Sequence, residues 1–482
     1  MKKVMIILFV GLLAFPWLMW YGIGKMIPGY QAMHHYDLKE NRNIYDLDDG
    51  LENFFNDRIP YRTYLVHNYN RTKTDMDKTY KTGLEAKLIG ALYHEEAQTS
   101  EMLDDIEGFE WLVYGDHEDL LQAEDHIHMY YDSEVVPAST ENCGYTVKTC
   151  NVCGKTMKTD FTAKLVDTML FPLDMNENFI VRGRNDWLFL FDWQHMYDLY
   201  IGKNHLKQAD LDERTDIYGQ LSDLCEQRGI QFEIIVCPAK YQVYDEYMPT
   251  MDIIDENKRM PRLMEYYKEN TDIKACYPIE ELEFTDRYAP TYFRYDSHWN
   301  QVGGYIGTQV LYKELGLPTT PLCDVEIKRD ESKMSECADL VPMSGSERSD
   351  FASPDYNYVI NYREGVEPDG VPGEPIWEMK PVQEVENATP QYGENVLLIG
   401  DSARSQLVPY ISKDFSKTSV YHFYCMDPVF LNNSGYDSDQ VKRQMQEDFK
   451  NCKYFIYETT ESNEDSALDF ARQILWLFQE VQ

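Results

Sequence analysis

The sequence predicts an α/β protein whose parallel β-sheet carries helices on both faces. From residue 179 onward, short apolar runs such as QFEIIVC and KYFIYE alternate with segments of helical spacing. Strands that alternate with helices pair in parallel, because each crossover returns the chain to the same edge of the sheet. The 482 residues are 43% hydrophobic and 14% aromatic, which supplies a large core and excludes a disordered chain.

The charge balance limits the partners of the folded part. Asp and Glu number 83 against 45 Lys and Arg, which gives a formal net charge of -38. A field of this sign repels phosphate groups, so nucleic acid and anionic lipid are not expected to bind. The ten cysteines are an ordinary number for this length and exclude a small disulfide-stapled scaffold.

An uncharged, apolar run covers residues 4–24, with Lys2 and Lys3 before it and Lys25 after it. About 20 such residues span a bilayer as a helix. A cleaved signal peptide is the alternative, but the run is long for one and ends in bulky aromatic residues. We therefore expect residues 1–25 to be an uncleaved signal anchor, which leaves the rest of a single-pass chain outside the cell membrane.

The remainder divides into three parts by composition and periodicity. Residues 26–95 are predicted to be a helical segment that packs on the catalytic domain, since apolar residues around Leu51 recur with helical spacing. Residues 96–178, which contain a cysteine cluster, are predicted to be an inserted lobe. Residues 179–482 form the α/β domain, interrupted by a long excursion rich in Pro, Gly, Ser and charge over 320–392.

Within the α/β domain, periodicity and punctuating Gly and Pro residues predict the elements in order. A hairpin is expected first. It is followed by strands over 231–237, 272–277, 395–400 and 453–458, and by helices over 210–228, 258–270, 301–315 and 466–481.

A serine follows the apolar strand NVLLIG in the sequence Gly400-Asp401-Ser402. Open α/β sheets bind ligands at the carboxyl ends of their strands. A serine at such a turn has its backbone N–H near a helix N-terminus, which suits a developing oxyanion. Asp401 is expected to fix the turn. Taken alone, the pattern is equally typical of a serine that caps a helix.

The stretch YFRYDSHWN places Asp296 and His298 two residues apart. A serine nucleophile needs a base, and the base needs a carboxylate that orients it. One loop can supply both groups here. The alternative is a surface aspartate beside a histidine that packs under an aromatic residue.

Together the two motifs resemble the SGNH hydrolase-like acyltransferases, among them the alginate O-acetyltransferases AlgJ and AlgX and the DHHW family of Gram-positive bacteria. The resemblance covers most of residues 40–90 and 179–480. It extends to three further segments: FFNDRIPYR, RGRNDWLFL and VCPAKYQVYDEYMP. One departure is Ser297, where the DHHW pattern has its first histidine.

The resemblance implies an SGNH hydrolase-like, circularly permuted flavodoxin-like fold, because the Asp-x-His motif precedes the serine block. It also implies a catalytic triad in which His298 is the base, Asp296 orients it and Ser402 is the nucleophile. The last strand lacks the asparagine that usually completes the oxyanion hole in SGNH hydrolases. The Ser402 N–H is the first candidate donor. Side-chain candidates near strand ends are Tyr457, Thr459 and Lys240.

The implied function is an extracytoplasmic O-acetyltransferase that modifies hydroxyls of a cell-surface or secreted polysaccharide through an acyl-enzyme. In the family, a membrane-bound O-acyltransferase usually supplies the acetyl groups, and no organic cofactor is expected. A carbohydrate O-acetylesterase with the same triad is the first alternative, because the acceptor depends on how the site excludes water. A non-catalytic glycan-binding surface protein is the second.

The cysteine cluster of the lobe has metal-like spacing, Cys143-x6-Cys150-x2-Cys153. The sequence around it resembles small ribbons of Gram-positive surface proteins that use one histidine and three cysteines. His128 fits that pattern better than His126. We expect a closed, structural zinc site on His128, Cys143, Cys150 and Cys153. The alternative is a disulfide between Cys143 and one of the other two.

Overall fold

The computed structural model describes residues 108–115, 129–140, 142–154, 156–165, 179–191, 196–249, 253–255, 258–334, 338–351, 353–362 and 380–481. The predicted signal anchor, the helical segment 26–95 and His128 lie outside these residues. The chain divides into two compact units, and the unit of residues 96–168, 174–248 and 253–482 contains all of the described helices and strands. None of the described helices combines the length and apolarity that crossing a bilayer requires.

The described elements follow the predicted alternation. The strands are β1 (Tyr130–Val136), β2 (Gly144–Cys150), β3 (Thr156–Thr162), β4 (Ile180–Arg182), β5 (Leu188–Leu190), β6 (Gln231–Cys237), β7 (Ala275–Cys276), β8 (Val325–Met334), β9 (Tyr356–Tyr362), β10 (Val382–Glu386), β11 (Tyr392–Gly400), β12 (Phe415–His422) and β13 (Tyr454–Thr460). The helices are α1 (Glu110–Val113), α2 (Met196–Tyr200), α3 (Gln208–Gln227), α4 (Lys240–Val243), α5 (Arg259–Asn270), α6 (Ile279–Thr285), α7 (Gln301–Leu315), α8 (Leu340–Met343), α9 (Val408–Asp414), α10 (Pro428–Asn433), α11 (Ser438–Asn451) and α12 (Glu464–Gln479).

The central sheet has the strand order β10-β12-β11-β13-β6-β7. The neighbours from β12 to β7 pair in parallel, as predicted. Strand β10 pairs antiparallel with β12 at the edge, so the sheet is mixed and the predicted parallel sheet is corrected at this edge. The reason is that β10 belongs to the excursion 320–392, which returns to the sheet at its edge without a helical crossover.

Helices cover both faces of the sheet. On one face, alternate residues of the central strands, such as Phe232 and Phe455, enter a large core with α3, α5, α11 and α12. On the other face, α7 packs on β6 and β7 while α9 packs on β12. The last five residues of β11 are all buried, which is typical of a strand with both faces covered.

The lobe contains a three-stranded antiparallel sheet, β1-β2-β3. Cys143 directly precedes β2 and Cys150 ends it. A strand rises about 3.3 Å per residue, so these cysteines lie on the order of 20 Å apart. Zinc–sulfur bonds of about 2.3 Å would need both sulfurs to lie within a few ångström of each other.

The predicted four-residue zinc site is therefore wrong in one ligand. Cys143 cannot share an ion with Cys150 and Cys153, because Cys153 lies in the turn at the Cys150 end of β2. The alternative disulfide from Cys143 to either residue is excluded for the same reason. A smaller set of Cys150, Cys153 and His128 stays a prediction, since His128 lies outside the described residues.

The hairpin β4–β5 is antiparallel, as predicted. It forms the base of a small second core. Buried side chains of Ile180 and Leu188 pack there with Tyr295, Leu340 and Phe351. This core fixes part of the excursion, the segment 338–351, against the loop that carries Asp296 and His298.

Candidate active site

The turn after β11 is held by Asp401. Its Oδ1 accepts a hydrogen bond from the Ala403 N–H at 2.9 Å, which caps the short 3-10 turn Ser402–Gln406. Its Oδ2 accepts from the Thr460 N–H at 2.9 Å, the Thr460 hydroxyl at 2.8 Å and Asn463 Nδ2 at 3.0 Å. One carboxylate thus joins the turn of Ser402 to the end of β13, and the expectation that Asp401 fixes the turn is confirmed.

The loop that carries His298 is attached directly to this turn. Trp299 Nε1 donates to the Ala403 carbonyl at 2.7 Å, so the residue after His298 binds the residue after Ser402. Helix α7 begins just beyond, where Gly304 packs against Gln406. A Cβ on Gly304 would lie 2.2 Å from the Gln406 backbone oxygen, and glycine is required for this approach.

The structure brings the three predicted triad residues together. His298 Nδ1 lies 2.6 Å from Asp296 Oδ1, and His298 Nε2 lies 2.6 Å from Ser402 Oγ. Because Nδ1–H donates to the carboxylate, Nε2 is left as the acceptor for the serine hydroxyl. The His298 backbone N–H also donates to Asp296 Oδ1 at 3.0 Å, which fixes the carboxylate relative to the ring.

Charge and burial shift the pKa values of Asp296 and His298 in opposite directions. Burial would raise the pKa of Asp296, but the hydrogen bonds and charge of His298 outweigh it and hold the pKa of Asp296 below its usual value. Burial would lower the pKa of His298, but the hydrogen bond and charge of Asp296 outweigh it and raise the pKa of His298. The imidazolium that forms when His298 takes a proton is therefore stabilised.

Lys240 supports the loop from behind. Its buried Nζ donates to the backbone oxygens of Leu188 at 2.6 Å, Arg294 at 2.8 Å and Asp296 at 3.0 Å. Burial lowers the pKa of Lys240 to about 7, although nearby carboxylates, that of Asp355 first, oppose this. An ammonium has three donors, and all three are used here, so Lys240 is not an oxyanion donor.

The other two side-chain candidates for the oxyanion hole are also engaged elsewhere. The buried Tyr457 hydroxyl donates to the Ala467 carbonyl at 2.6 Å, inside the core. The Thr459 hydroxyl donates to the Thr460 carbonyl at 3.1 Å. The predictions for Tyr457, Thr459 and Lys240 are therefore corrected, because each uses its protons on backbone carbonyls.

Sequence reasoning missed two residues next to the triad. Asn463, five positions after the end of the predicted strand, binds Asp401, the residue before Ser402. Asp339, from the excursion, accepts hydrogen bonds from the Ser297 N–H at 3.0 Å and the Ser297 hydroxyl at 2.9 Å. No local motif marks either residue, since each reaches the site only through the tertiary fold.

Within the part of the chain that the structure describes, one group of three potential metal ligands has its atoms within 4.8 Å of one another: Asp296, His298 and Asp339. Both ring nitrogens of His298 already bind Asp296 and Ser402. The group is therefore arranged for proton transfer rather than for metal coordination.

Comparison with known families gives one match. Residues 180–329 match the SGNH hydrolase-like domain of the acetyltransferase AlgX. The family expected from the sequence is confirmed, with Asp296 and His298 inside the matched region and Ser402 beyond it. The match supports an SGNH hydrolase-like α/β fold and an enzyme of the acyltransferase or esterase type. No curated protein matches the sequence.

Similar solved structures include Bacillus cereus PatB1 with a sulfonyl adduct, at 15% identity and a TM-score of 0.42, covering 60% of this chain and 96% of that one. The O-acetyltransferase domain of Pseudomonas putida AlgJ is 16% identical with a TM-score of 0.37, covering 61% and 99%. A DHHW family protein from Eubacterium siraeum is 12% identical with a TM-score of 0.40, covering 62% and 96%.

Proposed function

We propose that this protein is an O-acetyltransferase that acetylates hydroxyl groups of a polysaccharide through an acetyl-serine intermediate on Ser402. The observation that carries the proposal is the position of His298, whose two ring nitrogens lie 2.6 Å from Asp296 and 2.6 Å from Ser402. The match of residues 180–329 to an acetyltransferase family supports the same activity.

The first half-reaction loads the enzyme. His298 Nε2 takes the proton from the Ser402 hydroxyl as Oγ attacks the carbonyl carbon of the acetyl donor. The C–O bond to the donor then breaks, and His298 returns the proton to the departing oxygen. Asp296 stays ionised and holds the Nδ1–H tautomer throughout.

The second half-reaction transfers the acetyl group. A sugar hydroxyl gives its proton to His298 Nε2 and attacks the acetyl carbonyl carbon, after which the bond to Ser402 Oγ breaks. The proton on His298 passes to Oγ and restores the starting enzyme. Attack by water at this step would give acetate, which is the esterase alternative.

The negative charge on the carbonyl oxygen needs at least two donors. The Ser402 N–H is the first. We assign the second to Asn463, whose Nδ2 donates one proton to Asp401 at 3.0 Å and retains another. Asp401 would thus orient both the serine turn and the amide that stabilises the oxyanion.

The location of the enzyme and the source of its acetyl groups are proposed from the sequence. The apolar run 4–24 would anchor the chain and place the domain outside the cell membrane, beside a membrane-bound O-acyltransferase that delivers acetyl groups. A polysaccharide outside the cell would then be the acceptor.

The experiment uses the full chain and an activated acetyl ester. The wild type should release one equivalent of the leaving group in a burst, and Ser402→Ala should show none, since the acyl-enzyme cannot form. Ser434→Ala is the control: it removes an exposed hydroxyl just after α10 and should keep the full burst. A full burst from Ser402→Ala would refute the assigned nucleophile.

Adding a soluble glycan separates the remaining possibilities. Acetylated glycan and faster turnover support transfer. A burst with acetate as the sole product at every glycan concentration would show an esterase. Absence of a burst together with retained glycan binding would favour the non-catalytic surface protein.

A further inference from the structure

Asp339 lies against the triad loop although 42 positions separate it from Ser297. Its carboxylate accepts from both the N–H and the hydroxyl of Ser297, at 3.0 and 2.9 Å. Its own backbone N–H faces Asp296 Oδ2 at 3.4 Å. Ser297 Oγ is in turn 3.4 Å from His298 Nδ1. Asp339 therefore contacts both residues that precede His298.

This arrangement is not the by-product of a helix cap. Asp339 stands at the N-cap position of α8, yet its side chain makes no capping bond to that helix. The segment is instead fixed by its neighbours: the Leu340 N–H donates to the Tyr295 carbonyl at 3.1 Å, and Leu340 is fully buried in the small second core. Two successive N–H groups of the excursion thus bind residues 295 and 296.

We propose that Asp339, which belongs to the excursion 320–392, is a positioning residue for His298. It acts through Ser297 and Asp296 to hold the imidazole ring, and it places a second carboxylate beside that ring. The effect on turnover rests on the proposed function, whereas the effect on the ring does not. The excursion 320–392 then supplies a positioning residue to the site and is more than a surface insertion.

The chemical role follows from the charges that face His298. These are the carboxylates of Asp296, Asp339 and Asp401, all of which favour the imidazolium, while burial opposes it. Asp296 makes the direct hydrogen bond to Nδ1. Asp339 adds charge at longer range and binds Ser297, whose Oγ lies 3.4 Å from His298 Nδ1. Removing its charge should make the imidazolium harder to form.

The first test needs no activity. In the full chain with isotope-labelled histidine, the His298 signal is assigned by its loss in His298→Gln and is titrated by NMR. Asp339→Asn should lower the pKa of His298, because one anion near the ring is lost. Glu386→Gln removes the same charge from an exposed position on β10 and should leave the titration unchanged. Asp339→Glu keeps the charge, so the pKa of His298 in this variant should stay close to its wild-type value.

The second test uses the acetyl ester. Because His298 must be neutral to accept a proton, the acid limb of kcat/KM should move to lower pH in Asp339→Asn. Its plateau should fall roughly ten-fold, which is the worth of one charge-assisted hydrogen bond. Ser297→Ala should give a similar loss, and the double variant should lose less than the product of the two.

The outcomes are distinct. An unchanged His298 titration in folded Asp339→Asn would overturn the proposal, whether or not the enzyme turns over. Fully multiplicative losses in Asp339→Asn and Ser297→Ala would overturn the route through Ser297. A shifted titration in a protein without acetyl turnover would support the role of Asp339 and refute the proposed function alone.

Discussion

Lys240 Nζ lies 3.0 Å from the backbone oxygen of Asp296 and donates a hydrogen bond to it, while the carboxylate of Asp296 binds His298. The same nitrogen binds the carbonyls of Leu188 in the hairpin and Arg294 in the loop that carries Asp296 and His298. A single buried side chain after β6 therefore reinforces a connection that the Leu188 N–H also makes, by donating to the Arg294 carbonyl at 3.1 Å. The three hydrogen-bond acceptors of Lys240 Nζ are backbone carbonyls, so carbonyl dipoles rather than a contacting carboxylate stabilise its ammonium form.

Lys240→Met should lower both stability and turnover. Methionine fills a similar volume but removes three hydrogen bonds to buried carbonyls, so the free energy of unfolding should fall by on the order of 3 kcal/mol. Urea unfolding and the acetyl ester assay measure the two effects. Lys453→Met is the control: it removes an exposed lysine that binds one carbonyl, and it should change stability and turnover only slightly. Unchanged turnover in Lys240→Met would show that the loop holds its shape without the lysine.

Asn463→Ala should slow acylation without unfolding the protein. Asn463 is exposed, so its loss costs little stability, whereas loss of one oxyanion donor typically lowers kcat by about 10²-fold. Single-turnover kinetics with the acetyl ester report the step directly. Asn432→Ala, at an exposed position on α10, is the matched control. A burst rate within two-fold of wild type, on the order of 0.4 kcal/mol in the barrier, would remove Asn463 from the oxyanion hole.

His422 predicts a loss of stability in acid. Burial first, and the charge of Arg404 second, lower the pKa of His422 to about 4, and its Nδ1 accepts a hydrogen bond from the Tyr424 N–H at 3.1 Å. The unfolded chain binds the proton at its ordinary pKa of about 6.5. The stabilising contribution is therefore complete above that pH and is lost as the pH falls from about 6.5 to about 4, by about 3 kcal/mol.

The measurement compares wild type with His422→Asn by urea unfolding at pH 7 and pH 4.5. Asparagine keeps an acceptor for the Tyr424 N–H but does not titrate. Other buried acids shift equally in both proteins, so the difference isolates His422. Equal pH dependence in the two proteins would contradict the assignment.

Gly304→Ala should disturb the contact between the base and the nucleophile turn. The added Cβ would lie 2.2 Å from the Gln406 backbone oxygen, and backbone cannot move away as a side chain can. We expect about 1–3 kcal/mol of destabilisation and a lower burst amplitude. Gly219→Ala, in α3 with no atom near the new methyl, should instead stabilise the protein by about 0.5–1 kcal/mol. Full activity in Gly304→Ala would show that the two segments can separate.

The sequence was sufficient for the elements that periodicity defines. The predicted helix 301–315 coincides with α7, and the predicted strands at 231–237 and 453–458 lie on β6 and β13. The approach of His298 to Ser402 was also predictable, because parallel strands end at one edge of the sheet and the two motifs have complementary chemistry.

The remainder depended on contacts that no local pattern encodes. Strand β12 was missed because Ser416, Lys417, Thr418 and Ser419 interrupt its apolar character, although its last five residues are buried between β10 and β11. The cysteine spacing misled for a related reason: the alternating stretch between Cys143 and Cys150 is itself a strand, which separates residues that the count places close together.

The position of β13 has a consequence for synthesis. This strand lies between β11 and β6 and is the last strand of the sheet in chain order. Until residues 454–460 emerge, the polypeptide carries two partial sheets, each with an unsatisfied edge that could pair with another chain. Asp401 also lacks its partner Thr460 until then, so the turn of Ser402 is completed only after β13 has been made. The surroundings of Ser402 are therefore completed by a strand that is synthesised more than fifty residues after the serine itself.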